Sequence, residues 1–140
     1  MTKNSKITRL NHIALAVDDI DNALNFWQDT LGLSLERVEH VSSQNAQVAF
    51  LPVGDSEIEL VQPTSAETGL AIYLAKRGPG MHHIALEVDD LDAKLVRLKE
   101  RGVRLINESP VEAAGGNRAV FIHPESAFGV LVELYEIGEQ

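Results

Sequence analysis

A stretch of thirteen residues occurs twice in this chain. HIALAVDDIDNAL at 12–24 returns as HIALEVDDLDAKL at 83–95, with nine positions identical at a constant offset of 71. The same order of apolar, capping and turn residues directs the same local structure, so the chain is built from two copies of one folding unit. The echo continues more faintly. Gly32 answers Gly102, Phe50 answers Phe121, and Glu59 in SEIELV answers Glu133 in GVLVELY. Each copy therefore supplies one His early and one Glu late. Two copies make a paired module and not a solenoid.

Strand alternation governs the start of each copy. From Leu10 to Val17, Ile13, Leu15 and Val17 fall on one face and His12, Ala14 and Ala16 on the other. In the second copy Ile84, Leu86 and Val88 oppose His83, Ala85 and Glu87. Small alanines leave room beside an imidazole, as in a cavity wall. Each strand runs into an Asp pair, Asp18–Asp19 or Asp89–Asp90, whose carboxylates suit helix N-caps. Ile20, Ala23, Leu24, Trp27 and Leu31 then recur at helical spacing, as do Leu91, Leu95 and Leu98. Gly32 and Gly102 stand where a left-handed C-terminal cap is wanted.

Three shorter strands are predicted after each helix, near 34–41, 46–52 and 56–62 and near 103–107, 117–123 and 129–136. The connector 63–80 carries a short helix from about Glu67 to Lys76, closed by RGPG. The reading is α+β: one domain of two tandem β-α-β-β-β modules, at about 8–62 and 81–137. A net charge of -9 argues against nucleic acid or an anionic membrane as partner. With no cysteine, neither disulfides nor thiolate metal sites are available. MTKNSKITRL lacks the apolar core of a signal peptide, and no apolar run is long enough for a bilayer, so cytoplasm is the default.

The chemistry lies in the repeated His and Glu. Glu59 alternates against Ile58 and Leu60, and Glu133 against Val132 and Leu134, so both point away from the core-packing side. With the halves related by a pseudo-two-fold, His12, Glu59, His83 and Glu133 converge. Two imidazoles and two carboxylates suit one divalent ion such as Co, Mn, Ni, Zn or Fe(II). An octahedral ion with these four ligands keeps two positions open for a bidentate substrate.

The segments LNHIALAVDD, LAKRGPGMHHIALEVDD, RGVRLINESP, GGNRAVFIHP and GVLVELYE carry a resemblance. The chain resembles the vicinal oxygen chelate (glyoxalase/bleomycin resistance/dioxygenase) superfamily, and within it the methylmalonyl-CoA epimerases. The resemblance implies the vicinal oxygen chelate fold, with the modules forming a curved mixed sheet around the metal, in a homodimer. It implies His12, Glu59, His83 and Glu133 as metal ligands, with Glu133 also a base. The activity implied is interconversion of (R)- and (S)-methylmalonyl-CoA, or a close acyl-CoA relative, through a metal-stabilised enolate. Asn117 and Arg118 match GGNR and would orient an anionic group of the substrate, and Gln47 is a further substrate-binding candidate.

Gln47 matches a position where one studied type of epimerase has a glutamate. An amide cannot serve as a base, so the second proton carrier is open among Glu57, His40 and His123. Glu125 and Phe128 also depart from the pattern, standing where relatives usually carry Lys and, nearby, Gly. The alternatives are glyoxalase I and a non-catalytic small-molecule-binding member.

Overall fold

The computed structural model describes residues 5–138. It divides into two compact units, one of residues His12–His82, the other of residues up to 11 together with 83 onward. In the first, β1 (Ile7–Ala16) contributes its later half and is followed by β2 (Arg37–Val41), β3 (Ala46–Val53) and β4 (Ser56–Pro63). Their order is β2-β3-β4-β1, antiparallel except for the parallel β1–β4 pair. In the second, the early half of β1 is joined by β5 (Gly80–Val88), β6 (Val111–Glu112), β7 (Arg118–Ile122) and β8 (Val132–Glu136). The order there is β1-β5-β8-β7-β6, with β5 and β8 parallel. The β-α-β-β-β plan thus holds in both.

The helices start where the Asp pairs predict. Asp19 accepts from the Asn22 amide at 3.3 Å to open α1 (Ile20–Leu24). The connector forms α2 (Gly69–Arg77), two residues beyond the expected start, with Thr68 as its cap. Asp90 likewise accepts from the Ala93 amide at 3.0 Å to open α3 (Leu91–Glu100). A second tie, invisible in the linear pattern, is also duplicated. The first helical amide donates to a side chain three residues past the repeated Glu: Ile20 to Gln62 at 2.9 Å and Leu91 to Glu136 at 2.6 Å. Each helix N-terminus, which lacks internal acceptors, is thereby fastened to its own sheet.

Two expectations need correction. The periodicity from Ile20 to Leu31 does not make one α-helix, because Asn25–Thr30 winds as a π-helical turn that ends at Gly32, whose φ is 96°. The strand expected near 103–107 is reduced to a single bridge between Leu105 and Ile122. The reason is Asn107, whose Oδ1 accepts from the Phe121 amide at 2.8 Å and whose Nδ2 donates to the Ala119 carbonyl at 3.2 Å. A side chain thus takes main-chain groups that a ladder would have used. Pairing resumes only in the two residues of β6.

Each unit has its own core. Leu24, Ala49, Leu51 and Leu60 pack with Trp27 between α1 and its sheet, and Leu91, Leu95, Val120 and Leu134 pack between α3 and the other. Among the described residues no helix is long and apolar enough to cross a membrane.

Candidate functional site

Register decides which side chains share a face, because residues directly paired across strands point the same way and neighbours along a strand point oppositely. In the first unit Ala14 pairs with Glu59, and Glu59 with Phe50. In the second Ala85 pairs with Glu133, and Glu133 with Phe121. Each His lies two residues before its Ala, so His12 shares the face of Glu59 and His83 that of Glu133. The duplication in sequence is a duplication in register.

On those faces each His meets the Glu of its own module. His12 Nδ1 lies 2.9 Å from Glu59 Oε2, and His83 Nε2 lies 3.0 Å from Glu133 Oε1. The His83 ring also meets Phe121 edge-to-face, with centroids 5.4 Å apart. All four polar side chains are buried: His12 is 3% exposed, Glu59 7%, His83 8% and Glu133 2%. Isolated buried carboxylates are costly, so a pairing this consistent calls for a physical reason. An imidazole supplies a hydrogen bond now, and an imidazole nitrogen beside a carboxylate oxygen is also a donor pair that fits a divalent ion. The alanines Ala14, Ala16 and Ala85 beside the imidazoles are fully buried.

The other singled-out residues fall on both sides of their sheets. Glu57 pairs with His12 and shares its face. Burial raises the Glu57 pKa most, the nearby Glu59 raises it further, and His12 and Arg37 pull it down. Gln47 pairs with His40 and Gln62 and lies an odd number of residues from Phe50. Both Gln47 and His40 therefore face α1, opposite to Glu59. Gln47 and Gln62 line an open recess of about 400 Å³ with Asp19, Ile20, Asp21 and Val38. One expected result follows: Gln47→Glu should change neither metal content nor turnover by more than about twofold, as surface substitutions away from a site rarely do more. Side-by-side metal analysis and rate measurement on the variant check this.

In the second unit Arg118 pairs with Glu136 on the α3 side, away from Glu133. Its guanidinium donates to Asp92 at 2.9 Å and to Glu136 at 3.1 Å. The Asp92 hydrogen bond, foremost, holds it protonated even more firmly than usual. Asn117 lies next to it on the Glu133 side, donating to the Tyr135 hydroxyl at 2.7 Å and accepting from the Gly138 amide at 2.8 Å. His123 caps the turn Pro124–Ala127 by accepting from the Glu125 amide at 3.0 Å. Glu125 is ion-paired with Arg104 at 2.7 Å on the surface. Phe128 is fully exposed (101%) and left-handed at φ 57°, a conformation that favours glycine.

Sequence reasoning missed Arg37 and Glu39. Both lie on the Glu59 face, Arg37 paired with Phe50 and Glu39 with Val48. The Arg37 guanidinium sits 3.9 Å above the centre of the Phe50 ring. A signal was available in the turn Gly54–Asp55. A two-residue hairpin loop sets β3 against β4, and the short loop 42–45 sets β2 against β3 in the same way, so the register could have been counted back to β2.

The chain belongs to the glyoxalase/bleomycin resistance protein/dioxygenase superfamily, the vicinal oxygen chelate proteins, whose family model matches residues 11–121. Within it, the chain is similar to methylmalonyl-CoA epimerases. It is 35% identical over 130 residues to the mitochondrial methylmalonyl-CoA epimerase of Mus musculus, covering 92% of this chain and 73% of that one. The crystal structure of methylmalonyl-CoA epimerase from Mycobacterium tuberculosis matches it with a TM-score of 0.91 at 38% identity, over 99% of this chain and 94% of that one. An uncharacterized protein of Bacillus subtilis is 38% identical over 130 residues, 93% of each chain.

Proposed function

We propose that this protein is a metal-dependent epimerase that inverts the carbon between the thioester and the carboxylate of methylmalonyl-CoA or a close acyl-CoA relative. One observation carries the reading: a buried His–Glu pair recurs at the same register in both modules. The similarity to named epimerases over nearly the whole chain supports the substrate class. In this reading His12, Glu59, His83 and Glu133 together hold one divalent ion. When bound, that ion supplies positive charge against the charge that develops on the thioester oxygen as the α-proton leaves.

The protein's own groups do the rest. Glu133 takes the α-proton on one of its carboxylate oxygens. Inversion needs a proton returned from the opposite face. The described titratable side chains of β2–β4 that share the Glu59 face and have no ligand role here are Arg37, Glu39 and Glu57. In this reading Asn117, which donates to the Tyr135 hydroxyl, helps to orient the substrate.

The test is isotopic. In deuterium oxide, methylmalonyl-CoA incubated with metal-loaded protein should gain deuterium at the α-carbon as it epimerises, and chelator-stripped protein should lose at least about 90% of that exchange. Metal-loaded protein that exchanges nothing, yet isomerises a glutathione hemithioacetal, would make glyoxalase I the correct reading.

A further inference from the structure

We propose that Arg37 recognises the free carboxylate of the substrate, so that a 2-carboxyacyl thioester is bound in preference to its uncarboxylated counterpart. The proposal deepens the epimerase reading and rests on it.

Sheet register carries the argument. Arg37, Phe50, Glu59 and Ala14 form one row across β2, β3, β4 and β1, all on one face. Arg37 reaches along that row and lies over Phe50, the residue paired with Glu59. The contact with the ring steadies the guanidinium, which still carries N–H groups with which to meet an anion. Its ion-pair contacts run to Glu36 at 3.2 Å and Glu39 at 3.5 Å, the latter at the limit of a hydrogen bond. Five donors are available on a guanidinium, and those contacts use two. The side chain is 45% exposed, so a ligand can approach it.

The charge of the face makes such a group necessary. Glu39, Glu57 and Glu59 all lie on it, and a substrate bearing a carboxylate would be repelled by them. Apart from His12, Arg37 is the basic side chain on that face among the described residues of β2–β4 and the later half of β1.

The duplication supplies a control within the molecule. The Glu36 amide donates to the Phe50 carbonyl, and the Ile106 amide donates to the Phe121 carbonyl, so the residue answering Arg37 is Asn107. Asn107 is spent on the backbone of its own module. A cation therefore stands at this position in one module and not in the other. A substrate with two different ends needs that asymmetry if it is to bind in a single orientation.

The experiment compares malonyl-CoA and propionyl-CoA, which differ by the carboxylate in question, as ligands of metal-loaded protein by calorimetry. Replacing Arg37 by Gln should weaken malonyl-CoA binding about 10- to 100-fold, the worth of a charge-assisted hydrogen-bond pair, and leave propionyl-CoA within about twofold. Arg37→Lys should restore part of the difference, since it keeps the charge and loses the planar fork. Equal losses for both ligands would overturn the proposal by showing that Arg37 meets the CoA portion or merely holds the sheet. No loss for either would overturn it outright. Turnover is scored separately. If the protein selects malonyl-CoA through Arg37 yet does not epimerise methylmalonyl-CoA, the reaction is wrong and carboxylate recognition stands.

Discussion

A protein in which His12 and His83 are both replaced by alanine is expected to retain less than about a tenth of its divalent ion and to lose turnover to the limit of detection. Two imidazoles are half of the proposed donor set. The remaining carboxylates, Glu59 and Glu133, would have to hold a borderline ion alone, although an oxygen-only donor set suits hard ions better. The variant carries a structural cost as well. Glu59 and Glu133 are buried and would lose partners at 2.9 and 3.0 Å, which costs about 1–3 kcal/mol for each orphaned group. Metal analysis by mass spectrometry, with thermal melting on the same sample, separates ligand loss from unfolding. Full metal retention by a folded double variant would show that the ion, if any, is held elsewhere.

Glu133→Gln should lower the rate per bound ion by about 10²- to 10⁴-fold, the usual range for removal of a general base. The amide is nearly the same shape and keeps an oxygen that can ligate. It cannot accept the α-proton. Glu59→Gln is the matched comparison, because Glu59 occupies the same register position in the other module. If Glu59 is a ligand only, its variant should lose metal affinity while the rate per bound ion stays within about tenfold. Equal behaviour of the two variants would remove the basis for assigning Glu133 a second role.

Much of this was legible before the structure, and the reason is that repeats and caps are local. Asp19 and Asp90 cap as their position predicts, because an Asp before an apolar-periodic run needs only the next turn to act. Strand alternation placed His12, Glu59, His83 and Glu133 on the sides away from the helices, and the register agrees. What the chain did not show directly was pairing across strands. Matching Gln47 to a glutamate of relatives gives a position along the chain but no face, and a shift of one residue reverses every side chain. The register places Gln47 beneath α1 and brings Arg37 and Glu39 to the Glu59 side. Asn107 shows a second limit. A side chain that replaces main-chain bonds erased a strand whose hydrophobic pattern was sound.

The two modules differ most in one length. Nine positions separate Phe50 from Glu59, and twelve separate Phe121 from Glu133, yet both pairs lie directly opposite across the sheet. The three additional residues are absorbed in the β7–β8 connection, which holds the turn Pro124–Ala127 and the outward-facing Phe128. That connection is thus an insertion the fold has already accommodated without disturbing the sheet on either side. It is accordingly the natural attachment point for a fluorophore or a surface tether, since a graft at Phe128 lengthens a segment whose length the paired strands do not register.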